Sequence, residues 1–158
     1  MTATNLKTAV VTETRKAEII GDLNTALANL IDLVVASKQA HWNIHGANFQ
    51  GLHDLFDVIA AEARVYSDDV AERVLALGGT SHGTLQDAAR ATSLEPFPSD
   101  EKDWKVLGTA LRERMNQTSV LLQNLAKDIE DDLATQDLYI EIVRGLDKRA
   151  WMIAAHLD

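Results

Sequence analysis

The stretch HWNIHGANFQGLHDLFD, residues 41–57, carries three of the chain's five histidines and two acids among large apolar side chains. Its two flanks carry the apolar spacing of helices, and Gly46 breaks it near the middle. Imidazoles and carboxylates on helices that must also pack need a reason, because buried polar groups are costly unless paired or metal-bound.

Upstream, Ile20, Leu23, Leu27, Leu30 and Val34 recur at three- and four-residue steps, which predicts a first helix ending near Ile44. Downstream, a stripe of Leu52, Leu55, Phe56, Ile59, Ala63, Tyr66 and Val70 predicts a second helix, from about Asn48 to Gly78-Gly79. The connector TSHGTLQDAARATSLEPFPS fits a short helix over 85–90, and Pro96 and Pro98 exclude a long one. Ser99, with Asp100 and Glu101 behind it, reads as the cap of a third helix bearing Trp104, Leu107, Leu111, Met115, Thr118, Leu122, Leu125 and Ile129. A fourth follows the acidic break EDDLATQD, with Leu138, Ile142, Leu146, Ala150 and Ile153. Four such stripes bury each other in an all-α four-helix bundle with a long crossover between the second and third helices. Residues 1–15 read as a tail and 16–158 as one domain.

The chain has 158 residues, 46% hydrophobic and 25% charged, enough for one core. It has no cysteine, which excludes disulfides and thiolate metal sites and fits a reducing cytoplasm. No signal peptide or membrane span is expected. A net charge of -9 disfavours nucleic acid and attracts cations.

On an ideal helix Asp57, Asp68 and Glu72 lie about 40°, 60° and 100° round from His53, one broad face shared with much of the apolar stripe. Asp57 and Asp68 are about 16 Å apart along the axis, and His53 and Glu72 about 28 Å, too far for one metal centre in one copy. The spacing is nevertheless symmetric. His53 and Asp57 stand as far before the midpoint of Glu62 and Ala63 as Glu72 and Asp68 stand after it. Two antiparallel copies would therefore set His53 and Asp57 of one opposite Glu72 and Asp68 of the other, making two identical sites and requiring an oligomer. His41 is the candidate to complete the set. Imidazoles and carboxylates without sulfur suit Fe(II), and also Zn(II) or Mn(II). The Glu-x-x-His pair of single-chain di-iron bundles is absent from the sequence.

KQAHWNIHGANFQGLHDLFD (38–57), DDVAERVLALGG (68–79) and GLDKRAWMI (145–153) together closely resemble the Dps family, the ferritin-like miniferritins first described as DNA-binding proteins from starved cells. The resemblance implies a hollow homo-dodecamer with ferroxidase sites at its two-fold interfaces. His41, His53 and Asp57 would come from one subunit and Asp68 and Glu72 from its neighbour. It implies Fe(II) and hydrogen peroxide as substrates, a stored ferric mineral, protection against oxidative stress, and a possible redox role for Trp42 beside the site. Each imidazole would be oriented by a hydrogen bond from its other ring nitrogen. The resemblance also implies pores for Fe(II) entry at the acidic turn around residues 128–137, with Asp132 and Asp137 the first candidates to line them.

Bland readings stand beside these. His45, His82 and His156 read as structural or surface residues. Trp42, Trp104 and Trp151 read first as core or interface aromatics. Family members that bind DNA commonly use lysine-rich tails. Here Lys7, Arg15 and Lys16 face Glu13, and no basic extension closes the chain. DNA is therefore expected to be a weak partner, and the competing reading is a nucleoid-condensing protein with a secondary metal site.

Overall fold

The computed structural model describes residues 11–158. It contains α1 (Glu13–Asn43), α2 (Phe49–Ala76), a short α3 (Leu85–Ala91), α4 (Trp104–Lys127) and α5 (Leu133–Leu157). Among the described residues there is no β-strand, and one isolated bridge joins His45 to Asp103. α1 packs chiefly on α2 and α4 on α5, and the two hairpins face each other as a four-helix bundle with α3 lying against α1.

The core follows the sequence stripes. Leu23, Leu27, Leu30 and Leu33 of α1 meet Leu52, Phe56, Ile59 and Val70 of α2, with Leu111, Met115, Ile142 and Ile153 from the other hairpin. Polar anchors hold the crossover. The buried Asn29 donates to Ser93 Oγ at 2.9 Å, and Arg114 pairs with Asp32 at 2.7 Å while donating to the Glu95 carbonyl at 2.6 Å.

Two expectations are corrected. α1 begins at Glu13, capped by Thr12, so residues 13–15 belong to the helix rather than to a tail. α4 is capped by Asp103, whose carboxylate accepts from the Lys105 and Val106 amides, not by Ser99. By length and composition alone, an 18-residue window of α1 with mean hydropathy 1.5 is apolar enough to span a membrane. Half of that window is buried in the fold, as expected of the core helix of a bundle.

Candidate metal centre

The site is built on the α1–α2 turn. Gly46 has φ of 126°, in the region that favours glycine, and a Cβ there would lie 2.1 Å from Cδ1 of Trp104. The turn is tied to the start of α4. His45 N–H donates to the Lys102 carbonyl at 2.8 Å, and Trp104 N–H donates to the His45 carbonyl at 3.1 Å. This fixes the last turn of α1 against the opening turns of α2, and so fixes His41 against His53.

The two imidazoles are bonded reciprocally. His41 Nδ1 lies 2.7 Å from the His53 carbonyl, and His53 Nδ1 lies 2.9 Å from the His41 carbonyl. A carbonyl only accepts, so each Nδ1 carries the proton, and a neutral ring then offers its Nε2 lone pair outward. The His41 carbonyl sits in the last turn of α1, where carbonyls lack helical partners, so His53 also closes the end of that helix. The rings stack with centroids 3.7 Å apart, and Phe49 packs against His53 at 4.9 Å.

Asp57, one turn beyond His53, accepts a 2.5 Å hydrogen bond from Lys38 Nζ. That bond is the main reason its carboxyl lies below the usual range; burial, the next largest influence, works against it, and the Lys38 charge adds to the lowering. Lys38 was not singled out in the sequence. Its one signal there is helical spacing, three residues before His41 and four before Trp42.

Asp68 and Glu72 are not brought to the histidines. Among the described residues, no three His, Asp or Glu side chains of one chain gather closely enough to hold a metal ion. The carboxylates also do not share the buried stripe, which corrects the expected face. Asp57, Asp68 and Glu72 line the exposed side of α2, with the exposed Val58, Ala61 and Val65 between them. Beside this face runs a groove of about 680 Å³ lined by Leu27, Ile31, Val65, Asp68 and Ala71.

Other candidates fall into place. Trp42 is 66% exposed, as is Trp151, so neither is a core residue of this chain. Trp104 is half-buried over Gly46. His45 and His82 are exposed, but His156 packs over Gly51 and accepts from Asn48 through its carbonyl at 3.0 Å. Asp132 is buried, caps α5, and pairs with Arg73 at 2.7 Å. Those contacts give it a structural task inside the subunit. Asp137 is exposed on α5.

The bundle with two stacked histidines at a helix–helix turn defines a protein of the ferritin-like class, and a Ferritin-like domain model matches residues 20–158. The chain is 36% identical to a DNA protection during starvation protein of Agrobacterium fabrum, covering 90% of both chains. It is 32% identical to the protein of that name from Brevibacillus brevis, over 86% of this chain and 92% of that one. Among solved structures, Mycobacterium smegmatis Dps superposes with a TM-score of 0.89 at 28% identity, over 93% of this chain and 85% of that one. Dps from Microbacterium arborescens in the high iron form gives 0.83 at 34%, over 94% and 99%. The chain belongs to the Dps family of miniferritins.

Proposed function

We propose that this protein oxidises Fe(II), preferentially with hydrogen peroxide, at sites shared between two-fold-related subunits, and stores the ferric product inside a dodecameric shell. His41, His53 and Asp57 of one subunit supply two imidazole nitrogens and a carboxylate. Asp68 and Glu72 of the other subunit supply the remaining oxygens. The observation that carries this reading is the reciprocal His41–His53 pair, which turns both Nε2 lone pairs away from the backbone and toward whatever faces the turn. The exposed α2 face, apolar at its centre and acidic toward its ends, supports pairing with a second copy. Iron is substrate here, and zinc or manganese would suit the same donors. One peroxide takes one electron from each of two Fe(II) ions and two protons, leaving two ferric ions and two waters. The protein's task is to hold both ions so that both electrons arrive together and no hydroxyl radical escapes.

Trp42, next to His41 in the chain and exposed, is the residue we assign to intercept stray oxidant. The absence of cysteine fits a cytoplasmic protein. The test is anaerobic Fe(II) loading of the assembled protein followed by peroxide, with ferric absorbance recorded. Rapid oxidation into a soluble product, lost when His41 and His53 are both replaced by Ala, supports the reading. Oxidation no faster than in buffer, with precipitation, removes it.

The relatives' name favours a second reading, DNA protection by binding. Against it, Arg15 pairs with Glu18 and Asp131, and Lys16 pairs with Glu13, so both basic residues at the start of α1 are already engaged. Lys7 lies outside the described residues. A gel shift over a salt series decides: no shift at low salt excludes the DNA reading.

A further inference from the structure

Lys38, His41 and Trp42 occupy neighbouring positions on the last turns of α1, at the three- and four-residue steps that share a helix face. Lys38 reaches across to α2, where its ammonium lies 2.5 Å from Asp57 Oδ1. The same ammonium lies 5.9 Å from the centre of the Trp42 ring. The lysine side chain is 30% exposed, so it is neither locked in the core nor free in solvent.

We propose that Lys38 is a built-in cation that occupies Asp57 while the site is empty and must be displaced when a metal ion arrives. This inference rests on the reading of Asp57 as a ligand, and it goes further by assigning a residue that sets metal affinity. The physical argument is competition. An ammonium and a divalent ion need the same lone pairs of the carboxylate, and a charge of one beside a charge of two repels strongly at a few ångströms. The bond cannot simply be kept. Lysine is suited to leaving, because its charge is a point on a flexible four-carbon stem with no fixed fork geometry. In the empty state the lysine offsets the repulsion among carboxylates that two-fold pairing would bring together. In the loaded state its withdrawal takes a charge away from the face of Trp42, which that tryptophan's emission would register.

The experiment measures equilibrium binding of Zn(II), which has no redox chemistry, to the assembled protein by calorimetry at fixed pH and ionic strength. The wild type is compared with Lys38→Met, Lys38→Arg and the His41→Ala/His53→Ala pair. Removing the competing charge should tighten Zn(II) binding about five- to tenfold in Lys38→Met. Lys38→Arg, which keeps the charge, should stay close to wild type. Zn(II) should quench or shift tryptophan emission less in Lys38→Met than in the wild type. Equal or weaker binding by Lys38→Met, with binding lost in the histidine double variant, overturns the role of Lys38 and leaves the site assignment standing. Binding unchanged in the histidine double variant overturns both.

Discussion

His41 and His53 are each other's anchors: each ring donates from Nδ1 to the other's main-chain carbonyl, at 2.7 and 2.9 Å, across the α1–α2 turn. One pair of bonds therefore orients two ligands and also closes the helix that carries one of them.

That mutual bonding predicts coupling. Each single change to Ala should cost about 0.5–1.5 kcal/mol from its own lost hydrogen bond. The double change should depart from the sum by about 0.5 kcal/mol or more, because the rings also stack. Thermal or denaturant unfolding of the two singles and the double checks this. Strict additivity would mean that the rings are held independently.

Gly46 sets the turn. Gly46→Ala must place a Cβ against Trp104 in a backbone region unsuited to side chains. We expect a loss well above 1 kcal/mol, together with slower Fe(II) oxidation, since the His41–His53 register depends on the same turn. A variant as stable and as fast as wild type would show that the turn relaxes freely.

Asp132 predicts an acid response. Burial works to raise its pKa, but hydrogen bonds from Arg73 and Thr135 and the Arg73 charge outweigh it and hold the carboxyl below its ordinary value of 3.8. A folded pKa below the unfolded one gives stability that is complete above the unfolded pKa and is lost as pH falls through the folded one. Asp132 therefore contributes fully at neutral pH and loses its contribution below pH 3.8. Asp132→Asn, which breaks a buried ion pair, should lose about 2–4 kcal/mol at pH 7. The gap to wild type should narrow as the pH drops below 3.8, as read by melting temperature across pH.

Asp137 separates guidance from structure. Exposed on α5, it can lose its charge without disturbing a cap. Asp137→Lys should slow iron uptake while leaving melting temperature and the oxidation of limiting Fe(II) near wild type. Unaltered uptake kinetics would remove Asp137 from any entry route.

The helices were legible because their stripes are local. The Ile20 and Leu52 patterns, Gly46, and Gly78 with its positive φ needed no distant partner to interpret. Ser99 misled because it followed Pro98 and preceded two acids, as a cap would. Instead Glu101 folds back on the Lys102 and Asp103 amides, and the helix waits for Asp103. Lys38 and Asp132 were opaque for another reason. Asp57 is 19 residues from Lys38, and Arg73 is 59 residues from Asp132. A lone lysine carries no signal of its own, and an acid in an acidic turn reads as a pore candidate, until the fold supplies those partners. The carboxylate face of α2 was placed on the wrong side because helical angles give relative, not absolute, direction. His53 is half-buried, and the acids turn from it toward solvent.

The central claim is that one site draws on two subunits, and subunit mixing tests it most directly. One variant carries His41→Ala and His53→Ala, and the other Asp68→Ala and Glu72→Ala. Each alone should lack fast peroxide-driven Fe(II) oxidation. When the two are coassembled in equal amounts, every mixed pair regains one intact site and keeps one doubly broken site, so about a quarter of all sites recover. A fast phase of about a quarter of the wild-type amplitude, absent from both parents, is the result predicted. No recovery in shells shown to contain both variants would contradict the shared site.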